Sequence, residues 1–321
     1  MSDMPEKTLK QSSVGAFFTT KRVNGIKMLL MVAPFVAVVF TFSYMPLFGW
    51  MYAFADYKPG VPFFQQQYTA GLRYFRMMFS GVGYFPIVMR NTLILSLFGI
   101  LLSPVPVILA IMLTRLSQSR LGKMTRVIQT ATSLPNFISW VLVYSLFFAL
   151  FNVNTGVVNR ILMGLNLVSE PTNMLINTDF AWFFQLGVGI WKGAGYSAII
   201  YFAAIAGIDP ELYDAADVDG AGNLQKIIHI TVPGILPTYF VLLLLSIANM
   251  LSNGFEQYFI FQNALTVSRL EVLDTYIYKV GIANLQFSLS TAMGIFKSVI
   301  SITLLTFANI TSKYIRGESI F

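Results

Sequence analysis

Six long apolar stretches separated by polar punctuation dominate the chain. They run from about Met28 to Tyr52, Asn91 to Leu113, Ile128 to Phe151, Phe180 to Ala206, Ile235 to Phe261 and Phe287 to Ile310. Each matches the roughly 20 residues that carry a helix through a bilayer. The pattern predicts six transmembrane helices. Pro34 and Pro46 should bend the first, Pro104 and Pro106 should interrupt the second, and Pro135 and Asn136 stand near the inner end of the third. A β-barrel is excluded, because its strands would read as segments of about 10 residues with alternating polarity. The expected architecture is all-α and polytopic, with one membrane domain over 28–311 and polar tails at 1–27 and 312–321. Residues 1–25 are polar, and the first apolar run is too long for a cleaved leader.

One polar loop does not fit a plain connector. Over 207–233, between the fourth and fifth spans, Asp209, Glu211, Asp214, Asp217 and Asp219 hold five of the chain's 14 carboxylates. Such a run cannot lie in lipid. Asp209 suits an N-cap, Pro210 the first helical position and Glu211 the positive end of the helix dipole, so a short helix is expected over 210–218. Gly220 would end it by adopting positive φ. A second helix is expected over 221–231, with Leu224, Ile227, Ile228 and Thr231 on one side. Ala215, Ala216, Gly220 and Ala221 are small where the two helices must approach closely.

Composition agrees with the pattern: 56% of residues are hydrophobic and 11% charged, against about 25% charged in soluble domains. The net charge of +7 is no nucleic-acid signature here, because the basic residues collect in loops beside the spans. Lys7, Lys10, Lys21, Arg22, Lys27, Arg115, Arg120, Lys123, Arg126, Lys226, Lys313 and Arg316 fall on one side, and Lys58, Arg73, Arg76, Arg90, Arg160, Arg269 and Lys279 on the other. That asymmetry places both termini in the cytoplasm. Without cysteine and with His229 alone, the chain can build no disulfide, thiol nucleophile or multi-His metal site. Its Gly122-Lys123 pair lacks the rest of a phosphate loop, with Ser117 in the first glycine's place and Met124 in that of Ser/Thr. No catalytic or metal residue is expected.

Charges inside spans are costly and usually face a cavity. Lys192 lies near the middle of the fourth span and Lys297 near the middle of the sixth, while Glu256 follows Asn249 and Asn253 towards the outer end of the fifth. These residues, with Trp191, Tyr196 and Tyr258 as aromatic surface, are candidates for lining a wet path. The bland alternative is that Lys192 or Lys297 pairs with Glu256 as buried structure. Unpaired, the two lysines would suit an anionic cargo.

The run Asp214-Ala-Ala, three residues, Gly220, nine residues, then Ile230-Thr-Val-Pro233 resembles the EAA loop of permease subunits in binding-protein-dependent ABC importers. Every spacing of that loop is kept, with Asp214 in the place of Glu and Val232 in that of Leu. Other segments fit a subgroup for oligo- and polysaccharides, including alginate and lipo-oligosaccharide types: Phe42-x-Tyr44-x-Pro46, Leu134-Pro135-x-Phe137-Ile138-Ser139-Trp140, Trp191-Lys192-x-x-Gly195-Tyr196 and Asp274-Thr275-Tyr276. The resemblance implies a type I, maltose-permease-like fold in a bacterial inner membrane. It implies that Asp214, Ala215, Ala216, Asp219, Gly220, Ala221, Ile230 and Pro233 belong to an ATPase-coupling loop. It further implies a second homologous permease, two ABC ATPase subunits that bind the ATP and Mg, and an external solute-binding protein. A secondary carrier, with the mid-span charges as its ion site, is the competing reading.

Overall fold

A computed structural model describes residue 25 and residues 27–80, 84–117 and 122–316. The expected N-terminal tail lies almost wholly outside the described residues, as does the end of the C-terminal one. The chain divides after Gly71 into two units.

In the first unit, α1 (Lys27–Phe54) is a span-length helix. It widens to a π-turn over Phe40–Tyr44 and tightens to 3-10 geometry over Met45–Phe54, where Pro46 removes a backbone donor. The loop after it is pinned by buried Gln66, whose Nε2 donates to the carbonyls of Lys58 (3.0 Å) and Val61 (2.8 Å).

The second unit starts with α2 (Arg73–Phe79), then α3 (Phe85–Leu101) and α4 (Pro104–Ser117), which together make one span kinked before Pro104. The span therefore begins before Asn91, and Arg90 lies inside its helix rather than in a loop. α5 (Gly122–Ser133) and α6 (Trp140–Phe151) flank a 3-10 turn over Leu134–Phe137, and the chain bends by 107° between them. Pro135 ends the first piece, and Ser139 starts the second by accepting from the Leu142 amide at 3.4 Å. The third expected span is thus two helices joined at a sharp bend rather than one continuous helix.

After α7 (Val157–Gly164) comes α8 (Ala181–Ala206), the hub of the unit. It packs against α3, α4 and α5. Its Ala198, Tyr201 and Ile205 form one buried cluster with Ala110 of α4, while Phe184 and Val188 form another with Val143 of α6. Gly195 permits the approach to α5, because a Cβ there would sit 2.1 Å from the Thr132 carbonyl oxygen.

α9 (Pro210–Val218) follows, then α10 (Asn223–Ala248). The expected second loop helix is therefore the start of the fifth span itself. α10 carries a π-turn over Ile227–Thr231, just before Pro233. That extra residue rotates the register. Lys226, Thr231 and Ile235 turn inward, while Leu224 and Ile228, expected on the packed side, are exposed.

α10 stops at Ala248, and α11 (Phe255–Phe261) resumes after a break. The outer segment contains α12 (Val267–Leu270) and α13 (Leu273–Tyr278), and its Leu270, Val272 and Leu273 are buried. α14 (Phe287–Arg316) packs against α10 and extends through residues expected in the C-terminal tail. Among the described residues five helices are long and apolar enough to span a membrane, six if the bent pair counts as one, and no strand occurs.

Candidate functional site

The groove is built on one stripe of α8. Trp182, Gln185, Gly189, Gly193 and Ser197 recur at helical spacing and face the gap between α3–α4 and α10–α11. A cavity of about 430 Å³ lies there, with Ser96 and Gly99 of α3 on one wall and Asn249, Asn253, Gln257 and Tyr258 on another. A second, of about 390 Å³, shares Ser103, Ser197, Ser246 and Asn249 with it and continues inward. A third of similar size shares Gly189, Gly193 and Gln257, and contains Lys192 and Glu256. Small residues on α8 leave the space, and amides and hydroxyls line it.

Most of these polar groups are already ordered. Gln257 donates from Nε2 to the carbonyl and Oε1 of Gln185, both at 2.9 Å. Asn253 donates to Ser96 Oγ at 2.9 Å, while its Oδ1 accepts nothing. Asn249 is exposed and Tyr258 is buried against Leu95 and Val272.

The mid-span lysines behave differently from expectation. Lys192, 7% exposed, donates from Nζ to the carbonyls of Pro135 (3.0 Å), Asn136 (2.8 Å) and Ile138 (2.7 Å), with the Trp140 ring centroid 5.2 Å away. It therefore caps the break in the third span. Lys297 pairs with Asp274, whose other oxygen accepts from the Gly254 amide at 3.3 Å. Neither lysine pairs with Glu256, which is exposed in the third cavity. Trp191 and Tyr196 fall outside these cavities; they pack edge-on against Phe147 (5.4 Å) and Phe137 (6.0 Å).

At the inner end the acidic loop folds as its residues dictate. Asp209 Oδ1 accepts from the Glu211 amide at 3.0 Å, and Pro210 opens α9. Gly220, at φ +73°, closes it: its amide donates to the Asp217 carbonyl (3.1 Å), and that of Ala221 to the Ala216 carbonyl (2.8 Å). α9 buries no residue of its own, and Val218 is 89% exposed. It is nevertheless fastened to α10, since Tyr213 shares a 2.9 Å hydrogen bond with Thr231, and Asp217 pairs with buried Lys226. Asp214 reaches a cleft of about 460 Å³ that it shares with Arg115, Tyr213, Lys226 and Thr231. Asp219 is exposed and Ile230 half-buried.

At the outer end, burial and the Glu271 carboxylate push the Tyr84 phenol up, partly offset by Arg90, and the same two causes raise Tyr276, so both stay neutral donors at neutral pH.

A hub helix beside cavities that share their lining and carry amides and hydroxyls among aliphatic side chains, with helices interrupted where they meet those cavities and a largely exposed helix fastened to the hub's neighbour, is the build of a multi-pass transport permease. The chain belongs to the family of binding-protein-dependent transport system inner membrane components, which it matches over residues 103–317. It is 38% identical over 295 residues to Protein LplB of Bacillus subtilis (strain 168), covering 91% of this chain and 90% of that one. It is 37% identical over 295 residues to the polygalacturonan/rhamnogalacturonan transport system permease protein YteP of the same organism, covering 91% and 89%. Among solved structures it resembles a chain of a bacterial alginate ABC transporter in complex with alginate pentasaccharide-bound periplasmic protein. There the TM-score is 0.84 at 31% identity, over 94% of this chain and 99% of that one.

Gln185, Gln257 and Ser96 were not among the residues expected to line the path. The Gln185, Gly189, Gly193, Ser197 spacing on one helix face is the signal that could have found this stripe.

Proposed function

We propose that this permease forms half of an ATP-driven path for importing an acidic oligo- or polysaccharide across the bacterial inner membrane, with both termini cytoplasmic. A second, homologous permease closes the path, a solute-binding protein delivers the cargo, and two ABC ATPase subunits bind ATP and Mg and hydrolyse the nucleotide. α9 is the coupling helix. The observation that carries the reading is its construction: seven of its nine residues are exposed and none is fully buried, yet it is tied to the fifth span through Lys226 and Thr231. A helix that buries nothing of its own is free to seat in a partner, and two polar links to α10 transmit its displacement to a span that lines the groove. ATP-driven closure of the ATPase pair would move α9 with it, and hydrolysis would reset it. The acidic cargo is supported by likeness to permeases named for polygalacturonan and alginate transport. Uptake of trigalacturonate by the complete complex in liposomes should require ATP, the ATPase subunits and the binding protein. Uptake driven by a proton or sodium gradient without ATP would establish a secondary carrier instead.

A further inference from the structure

The cations that the spans bring towards the groove are already engaged. Lys192 is committed to three carbonyls and Lys297 to Asp274. Among the described residues the middle of this half-path therefore offers amides and hydroxyls set among aliphatic side chains, and one carboxylate, Glu256, but no uncommitted lysine. An anionic cargo entering such a groove must have its charge met elsewhere.

A cluster that the reading above does not use stands at the outer end of the same helix faces. Trp182 heads the α8 stripe and packs against Leu95 and Tyr258, both of which line the cavity. The Arg269 guanidinium carbon lies 4.6 Å from the Trp182 ring centroid, and that of Arg90 lies 5.6 Å away. The site is built, because three elements are joined at this point. Fully buried Asn91 donates to the carbonyls of Ser268 and Glu271, each at 3.1 Å, fixing α3 to α12. Its Oδ1 accepts from Arg90 Nη2 (2.9 Å), which also donates to the Ser268 carbonyl (3.0 Å). Trp182 Nε1 donates to the Arg269 carbonyl at 2.7 Å, fixing α8 to α12. Arg90 is thereby held in place while remaining exposed, and Arg269 is half-buried. Among the described residues neither guanidinium pairs with a carboxylate. Glu271, two residues from Arg269, is buried and paired with Lys279 at 2.5 Å.

Two like charges held against one ring repel each other, and the fold leaves them unneutralised. We propose that Arg90 and Arg269 form an outer anion subsite that takes the carboxylate of a hexuronate unit as the cargo enters the path. A guanidinium gives a carboxylate charge-assisted hydrogen bonds, and with Nε and Nη2 of Arg90 held by Asn91 and Ser268 its Nη1 is left to make them. The inference rests on the importer reading and deepens it: charge is read at the mouth, and hydroxyls are read further in. An acidic side chain of the binding protein is the other conceivable anion. The position favours the cargo, because the cluster heads the two cavity-lining faces and is anchored in the core through Asn91.

The test uses the complete complex of both permeases, ATPases and binding protein, in nanodiscs for trigalacturonate binding and in liposomes for import. For Arg90→Gln with Arg269→Gln, binding of trigalacturonate to the complex without binding protein should weaken about tenfold, with a matching rise in import KM. The concentration of binding protein that half-stimulates ATP hydrolysis should stay put. The double Arg→Lys variant, which keeps the charge, should recover part of the loss and guards against simple misfolding. A rise in that half-stimulating concentration with trigalacturonate binding intact would make the cluster a docking contact and overturn the proposal. Unchanged binding and KM would overturn it too. A wild-type complex that imports a neutral trisaccharide but ignores trigalacturonate would sink this subsite while leaving the importer reading intact, whereas failure of ATP-dependent import of any oligosaccharide would sink that reading.

Discussion

Lys192 shows how one residue's meaning depends on atoms the sequence does not display. A lysine in mid-span next to tryptophan invites a cargo contact. Its partners are instead three backbone carbonyls, 54 to 57 residues away in the chain, left over where Pro135 ends α5. Backbone carbonyls have no letter of their own in a sequence. Only the 107° break, visible as Pro135 and Asn136, hinted that acceptors would be exposed there. Replacing Lys192 by Met should strand the Asn136 and Ile138 carbonyls, since that of Pro135 also accepts from the Ile138 amide, at about 1–3 kcal/mol for buried acceptors left without a donor. The expected outcome is a lower melting temperature of the detergent-purified complex, with import of neutral and acidic cargo falling in parallel. A selective loss of uronate import at unchanged melting temperature would return Lys192 to the role of cargo contact.

At the scale of elements, the acidic loop was legible almost to the residue, because caps and turns are local chemistry. Asp209, Pro210 and Gly220 each do what their side chains dictate. The next helix was read less well, since its bounds depend on distant packing. Residues 221–231 were expected as a separate loop helix ahead of the fifth span, yet α10 runs unbroken from Asn223, with Lys226 neutralised by Asp217 and His229 bonding the Gln225 carbonyl at 3.0 Å. The turn between them offers a clean experiment. A Cβ at Gly220 would meet nothing within 4 Å, so a substitution there tests backbone conformation rather than fit. Valine at φ +73° should cost about 1–2 kcal/mol and reorient α9, whereas asparagine tolerates that region. Gly220→Val should lose most ATP-coupled uptake with normal membrane insertion, and Gly220→Asn should keep most of it. Equal activity in both would remove the turn from the coupling mechanism.

For the whole molecule, the number of crossings decides which end of each helix faces the ATPase. Hydropathy found α8 and α14 readily, because nothing interrupts them. It also counted the α5–α6 region as a span, but the 107° bend between the two helices allows the pair either to cross the membrane or to turn back. If the pair crosses, α7 lies outside and α9 faces the cytoplasm. If it re-enters, α8 runs the other way and α9 points away from the cytoplasm, where no ATPase could reach it. The proposed coupling therefore requires the crossing. Lacking cysteine, the chain permits a direct check with single introduced thiols and no background. Leu165, 63% exposed just beyond α7, and Asp219, exposed at the end of α9, are suitable positions. In intact spheroplasts a membrane-impermeant maleimide should label Leu165→Cys and spare Asp219→Cys, and the pattern should reverse in inside-out vesicles. The opposite pattern, Asp219→Cys labelled in spheroplasts and Leu165→Cys spared, would make the bent pair re-entrant and dismantle the coupling assignment, whatever the likeness of the loop.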